Sequence, residues 1–230
     1  VNGSKKRHGG DGLINKESEK LMALFLDSAD LMDAKTAGEF GFIYGATTNP
    51  ALLSRAGHTA AAPALKALCE LLPGPVFHQL TAREPEGMRA EAEAFIDLAP
   101  NLGLKIMCTL PGLQFAAEIS PHVTVAVTGV FSPAQAYLAS QAGAAFVIPY
   151  VNRLNRFTGA GASVIRDMAD ILFTNETELL AAGIKTPGEA IETLLAGAEH
   201  ISLPLAVMQD MAENELTLQA YASFDSYRTT

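Results

Sequence analysis

Met22-Ala23-Leu24-Phe25-Leu26-Asp27-Ser28-Ala29-Asp30 is a short apolar run that stops on an acid and passes straight into small polar residues. A run of this length, bounded by turn formers, predicts a strand over Met22–Asp27. The residues just past its end decide between two parallel α/β architectures. A doubly wound open sheet usually places G-x-G-x-x-G after its first strand, and Ser28-Ala29-Asp30 is no such loop. No Walker-type phosphate loop occurs along the chain either.

Outward from that stretch, further strands are expected over Phe42–Ala46, Val76–Leu80, Leu104–Cys108, Val123–Val127, Ala145–Tyr150, Leu179–Gly183 and His200–Leu203. Amphipathic stretches such as Glu86–Leu98, Pro133–Ala142, Ala162–Phe173 and Pro187–Ala196 lie between them. Each opens on a helix-start signal: Pro85, Ser132-Pro133, the glycines Gly159 and Gly161, and Thr186-Pro187. Eight βα units of roughly 25 residues each specify a compact (β/α)8 TIM barrel, near the lower size limit of that fold. The barrel is expected as a single domain over 21–230, ending in a C-terminal helix. The polar stretch at 1–20 is expected to be a disordered leader or expression-derived remnant, or else a functional arm.

The 230 residues are 49% hydrophobic and 18% charged, with sixteen basic against twenty-five acidic side chains and a net charge of −9. Such a balance excludes whole-chain disorder and argues against general binding to nucleic acid or an anionic membrane, while leaving room for one local anion pocket. No apolar run approaches the roughly 18 residues that span a bilayer. Cys69 and Cys108 are the only cysteines, so there is no disulfide framework, and a reducing, cytoplasmic setting fits.

In such a barrel chemistry gathers at the carboxyl ends of the strands. Asp27 ends the first strand and Thr47-Thr48-Asn49-Pro50 comes after the second. Gln79 ends the third, Lys105 lies on the fourth, and the fifth ends near Thr128. Tyr150 ends the sixth, with Asn152 and Arg153 just beyond. Acid, amide, amine, hydroxyl, phenol and guanidinium then converge on one mouth.

Lys105 is the most informative of these. A lysine within Leu104-Lys105-Ile106-Met107 is costly unless paired or neutral. Alternation puts Lys105 and Met107 on one face and Leu104 and Ile106 on the other, toward the barrel–helix layer. Lys105 therefore points inward, where burial favours the neutral amine that attacks a carbonyl to form a Schiff base. The alternative is a rim lysine that snorkels to solvent or bridges to an acid. Asp27 reads either as an acid–base partner for the amine or as a turn former or helix N-cap. Thr47 to Pro50 reads equally as a turn with an N-cap, and Gln79 and Tyr150 are ambiguous singly.

Leu24 to Asp30, Gly45-Ala46-Thr47-Thr48-Asn49-Pro50, Leu104-Lys105-Ile106, Pro149-Tyr150-Val151-Asn152-Arg153, Ala182 to Pro187 and Ile201 to Leu205 together resemble the small transaldolases, and most nearly their fructose-6-phosphate aldolase branch. The resemblance covers about residues 22 to 212. It implies a Schiff-base lysine at Lys105, no metal and no organic cofactor. It further implies cleavage or formation of the C3–C4 bond of a ketose phosphate, with a dihydroxyacetone unit held on the lysine. Asp27, with Thr47 and Asn49 beside it, would bond the donor hydroxyls, and Arg153 would bind phosphate. Homo-oligomers, pentamers or decamers, are also implied.

Transaldolases typically carry a Glu at the Gln79 position and a Phe at the Tyr150 position, so Gln with Tyr resembles the aldolase branch. The phenol and a water would then serve as acid and base. Gly183 stands where the aldolases have a Ser that helps bind phosphate, with Ser163 in the Thr158–Ser163 turn a candidate replacement. Ile148 stands where they have an Ala and is expected to narrow the donor end of the pocket.

Two other functions compete. A metal-dependent barrel hydrolase or aldolase needs clustered ligands, and His8, His58, His78, His122 and His200 are scattered, each expected on the surface or in the barrel–helix layer. A non-catalytic sugar-phosphate-binding barrel would account for the departures at Gly183 and Ile148, yet has no need of a buried amine.

Overall fold

In the computed structural model, which describes residues 22–225 and 227, eight parallel strands pair in chain order and the eighth closes on the first. The order is β1 (Leu24–Asp27), α1 (Leu31–Glu39), β2 (Ile43–Thr47), α2 (Pro50–Arg55), α3 (Ala61–Leu71), β3 (Val76–Gln79), α4 (Pro85–Glu93), β4 (Leu102–Met107) and α5 (Leu110–Ile119). It continues with β5 (Val125–Val130), α6 (Pro133–Gln141), β6 (Phe146–Pro149), α7 (Val151–Thr158), α8 (Gly161–Leu172), β7 (Glu178–Ala181), α9 (Pro187–Leu195), β8 (His200–Leu203), α10 (Leu205–Ala212) and α11 (Glu215–Asp225). This is the (β/α)8 barrel expected from the sequence, and α10 and α11 come after the last strand. The stretch at 1–20, His8 included, lies outside the described residues.

Period-two alternation divides the core in two. One face of the strands (Leu26, Leu104, Ile106, Val127, Leu179) packs outward on helix residues such as Leu65, Leu68 and Phe115. The other face fills the lumen with Phe25, Phe77, Ala126, Phe146, Ile148 and Leu180. The three phenylalanine rings contact one another with centroids 5.5–6.4 Å apart, the separation aromatic pairs favour. They fit because a neighbouring strand gives way. A Cβ on Gly103 would stand 2.6 Å from the Phe77 ring.

Local signals set the helix starts. Ser132 and Thr186 cap α6 and α9 through their side chains, each followed by proline. Asp30, not Asp27, caps α1 by accepting from Met32 and Asp33 N–H, which leaves the Asp27 carboxylate free of that duty. The amphipathic stretch to Leu98 does not stay helical. After Glu93 the chain tightens into bonds such as Phe95 N–H to Ala92 O and Leu98 N–H to Phe95 O, spanning three residues. Thr128 is interior to its strand, since β5 runs on to Val130 across a register break at Gly129, φ +71°.

The histidines divide. His78 lies in the barrel–helix layer as expected, its ring 4.1 Å from that of Phe95. His200 departs from expectation: it points into the lumen, its ring against Phe25 and Phe146 at the amino end of the barrel. Two fixed hydrogen bonds make that burial tolerable. Nδ1 accepts the Ala23 N–H at 3.0 Å, so Nε2 carries the proton and donates to Glu178 Oε2 at 3.0 Å.

His78 has no such partners at either ring nitrogen, and burial pushes its pKa down from 6.5 to about 4. The unfolded chain takes up a proton near pH 6.5 and the folded chain only near pH 4. Stability from this group is thus complete above about pH 6.5 and is lost as pH falls toward 4, by about 3 kcal/mol. Urea unfolding at pH 7 and pH 4 should show that His78→Leu removes this share of the acid destabilisation. An unchanged pH dependence would show that His78 is not its source.

Candidate active site

A cavity of about 460 Å3 opens at the carboxyl ends of the strands. Its walls bring together Asp27, Asn49, Gln79, Lys105, Tyr150, Arg153 and Gly183, which the sequence scatters over more than 150 positions. Thr47 and Thr128 stand just behind the wall, fully buried, each bonded to a residue that forms it. Ile148 is also fully buried, in the luminal cluster on which Tyr150 packs, and is not part of the cavity wall. Ile148 therefore does not narrow the pocket by direct contact.

Lys105 is 3% exposed, on the luminal face between Gln79 of β3 and Ala126 of β5 in register. Burial lowers its pKa from 10.5 to about 8, with the Asp27 charge opposing the shift. About one amine in ten is then neutral at pH 7, against fewer than one in a thousand for an ordinary lysine. The rim-lysine alternative does not describe a side chain so covered.

Asp27 Oδ1 accepts from the Thr47 hydroxyl at 3.0 Å, and Thr47 Oγ1 lies 2.7 Å from Ser202 Oγ. Tyr150, just past β6, sits under the Arg153 guanidinium at 5.4 Å, with Phe131 edge-on at 5.8 Å. Its phenol oxygen accepts from the Thr128 hydroxyl at 2.9 Å, which leaves the phenolic proton free for another acceptor. Burial raises the Tyr150 pKa against the pull of Thr128 and Arg153, so the phenol stays protonated near neutrality. Gln79 Nε2 rests 3.6 Å from Met107 Sδ. Asn49 does two things: its side-chain oxygen caps α2 through the Leu52 N–H at 2.9 Å, and the residue also forms cavity wall.

Gly183 has φ +69°, a left-handed conformation. A Cβ there meets nothing closer than 3.7 Å, so the obstacle to a side chain is backbone strain rather than space. Ser163 does not supply the missing hydroxyl. Its Oγ donates to Ala160 O within its own turn, and it lies outside the cavity wall. Gly159, φ +65°, makes that turn the left-handed cap that ends α7.

Sequence reasoning misses Arg55, Lys185 and Ser202. Arg55 and Lys185 line the mouth beside Arg153, and both also wall an adjoining cavity of about 270 Å3 that shares Asp27. Glu189 sets that side of the rim, its carboxylate accepting the Lys185 N–H at 2.7 Å and the Asn152 amide at 3.3 Å. Ser202 shares a strand face with His200, because two residues along a strand return to the same face, so the expectation of His200 outside the lumen also hid Ser202. Among the described residues no group of three or more His, Cys, Asp or Glu is placed to hold a metal ion, and no helix is long and apolar enough to cross a membrane.

A family model described as Transaldolase/Fructose-6-phosphate aldolase matches residues 24–229. The chain is similar to a probable transaldolase of Symbiobacterium thermophilum, 36% identical over 199 residues that cover 85% of this chain and 92% of that one. A probable transaldolase of Aquifex aeolicus is 36% identical over 200 residues, 85% and 91% of the two chains. Among solved structures, a mandelate oxidase variant superposes with a TM-score of 0.57 at 14% identity, over 88% of this chain and 71% of the other. That likeness shows a shared fold alone.

The buried amine has a cost that can be measured without substrate. Below about pH 8 Lys105 is protonated in both folded and unfolded chains, and the folded state bears the full penalty of about 3 kcal/mol. The penalty disappears as pH rises from about 8 to 10.5, where the unfolded chain also loses the proton. Lys105→Met should therefore be more stable than wild type at pH 7, with the gap closing toward pH 10.5. A gap independent of pH would show that packing, not charge burial, sets it.

Proposed function

Because this chain belongs to the transaldolase/fructose-6-phosphate aldolase family, and is thus an enzyme of aldolase or transferase type, we propose that it is a Schiff-base aldolase acting on a ketose phosphate such as fructose 6-phosphate. The observation that carries the reading is the Lys105 amine, buried in a polar cavity with its pKa brought down to about 8. Family membership removes the non-catalytic barrel from consideration.

The neutral Lys105 amine adds to the ketose C2 carbonyl, and loss of water gives the iminium. The C4 hydroxyl then loses its proton, the C3–C4 bond breaks, and the bonding pair enters the enamine as the aldehyde phosphate departs. Protonation at C3 and hydrolysis release dihydroxyacetone and restore the amine. The geometry supports a division of labour. Asp27, adjacent to the amine, accepts hydrogen bonds from the donor hydroxyls and stabilises the iminium charge. The Tyr150 phenol, held by Thr128 with its own proton free, serves as the acid and hydrogen-bond donor that works with a water. Gln79 and Asn49 orient the donor unit with their amides.

Phosphate falls to the rim, where Arg153, Arg55 and Lys185 gather positive charge on an overall acidic chain. Gly183 contributes no hydroxyl, so charge carries most of this binding. A second reading, transfer of the dihydroxyacetone unit to another aldehyde, is favoured by the names of the relatives, both probable transaldolases. Gln79 in place of a carboxylate supports release over transfer. The same resemblance suggests a pentamer or decamer, and α11 supports assembly with Leu216, Leu218, Tyr221 and Phe224 all largely exposed.

Incubation with fructose 6-phosphate and reduction with borohydride should place a dihydroxyacetone-derived adduct on Lys105, and Lys105→Arg should abolish both adduct and cleavage. Free dihydroxyacetone without an added acceptor identifies the aldolase. Product seen only with a second aldehyde phosphate identifies the transferase, and an adduct on another lysine discards the assignment. Arg153→Ala should raise KM for glyceraldehyde 3-phosphate roughly tenfold or more, the scale of a lost charge-assisted hydrogen bond, and for unphosphorylated glyceraldehyde far less. Equal increases would remove Arg153 from phosphate binding.

A further inference from the structure

Ser202 lies on β8 with its side chain fully buried in the lumen, on the far side of β1 from Thr47 of β2. The two hydroxyls meet at 2.7 Å, and Thr47 Oγ1 also reaches Asp27 Oδ1 at 3.0 Å. A threonine hydroxyl has one proton. An ionised Asp27 can only accept, so Thr47 gives it that proton, and the Ser202 hydroxyl must then be the donor to Thr47. The chain of bonds has one direction: Ser202 to Thr47 to Asp27.

We propose that Ser202 is a positioning residue, which fixes the Thr47 hydroxyl so that one oxygen of Asp27 is held from behind and the other is presented to the substrate hydroxyls at Lys105. The inference deepens the Schiff-base reading and rests on it, since Asp27 must serve the carbonyl chemistry for its aim to matter. Burial gives the bonds their weight. With Thr47 and Ser202 closed to solvent, no bulk water replaces a lost donor, and each bond polarises the next. Without Ser202 the Thr47 hydroxyl can turn away from Asp27, whose carboxylate then loses its fixed angle.

Three variants separate positioning from packing. Ser202→Ala deletes the donor, Ser202→Cys keeps nearly the same volume with a much weaker donor, and Ser202→Thr keeps the hydroxyl. With fructose 6-phosphate as substrate, Ala and Cys should lower kcat roughly three- to tenfold, the scale of one buried hydrogen bond, and shift KM less than about twofold. Thr should restore kcat. A turnover-free measurement accompanies them: the Asp27 carboxylate infrared band, isolated as wild type minus Asp27→Asn. It should move in the Ala and Cys variants and return in Thr. A band and kcat unmoved in the Cys variant, or a loss that Thr does not rescue, overturns the inference. Wild type that neither turns over fructose 6-phosphate, with or without an acceptor aldehyde, nor gives a borohydride-trapped adduct on Lys105 would instead overturn the Schiff-base reading, and the infrared band would still decide whether Ser202 orients Asp27.

Discussion

A closed parallel sheet has two faces, and the inner one has space for few side chains. Phe25, Phe77, Phe146 and Ile148 fill most of it, and each is all but closed to solvent. That apolar plug has His200 at its amino end, and the Lys105 amine sits above it, at the opposite end, in the polar mouth. Desolvation there makes the ammonium expensive, and Asp27 offsets part of the cost through its charge. The rest of the mouth can be understood as a response to that placement. Hydroxyls stand behind the acid and the phenol, amides flank them, and the remaining cationic side chains of the cavity, Arg55, Arg153 and Lys185, lie toward the rim.

Charge is distributed unevenly as a result. The chain is acidic by nine charges, yet Arg55, Arg153 and Lys185 gather where the cavity meets solvent. An anion that enters the mouth meets these three side chains together. Within the site, Arg153 also lies over the Tyr150 ring, so the phenol and the proposed phosphate grip share one side chain. Substitution at either residue disturbs the other.

Much of the barrel is legible in the sequence because strand alternation and helix-start residues are local signals. β8 has the expected bounds, and most other strands differ by one or two residues at an end. Where local signals mislead, a tertiary contact is responsible. Amphipathic spacing carries the α4 stretch on to Leu98, but Phe95 turns to cover His78 and the helix ends early. Placement in the site divides in the same way. Asp27, Gln79 and Tyr150 are found by their position at strand ends, and Lys105 by its charge within an apolar strand. Arg55, at the end of a helix, and Lys185, in a loop, reach the mouth only through the path of the folded chain, and nothing in their neighbours announces it. Alternation sets Ile148 on the inward face, where it lies, but its depth below the cavity depends on how the lumen is layered, which spacing does not give.

The seam between β8, β1 and β2 has a consequence for when the molecule becomes active. Ser202 and Thr47 are separated by 155 positions, and the bond between them bridges the strands at which the barrel closes. Contacts this distant along the chain form late, because loop entropy must be overcome first. A nascent chain cannot complete the Asp27 cluster until its last strand is available, and a molecule open at the seam would hold a lysine without an oriented acid. The hydrogen-bonded cluster beside Lys105 is thus completed only with the closure of the sheet that contains it.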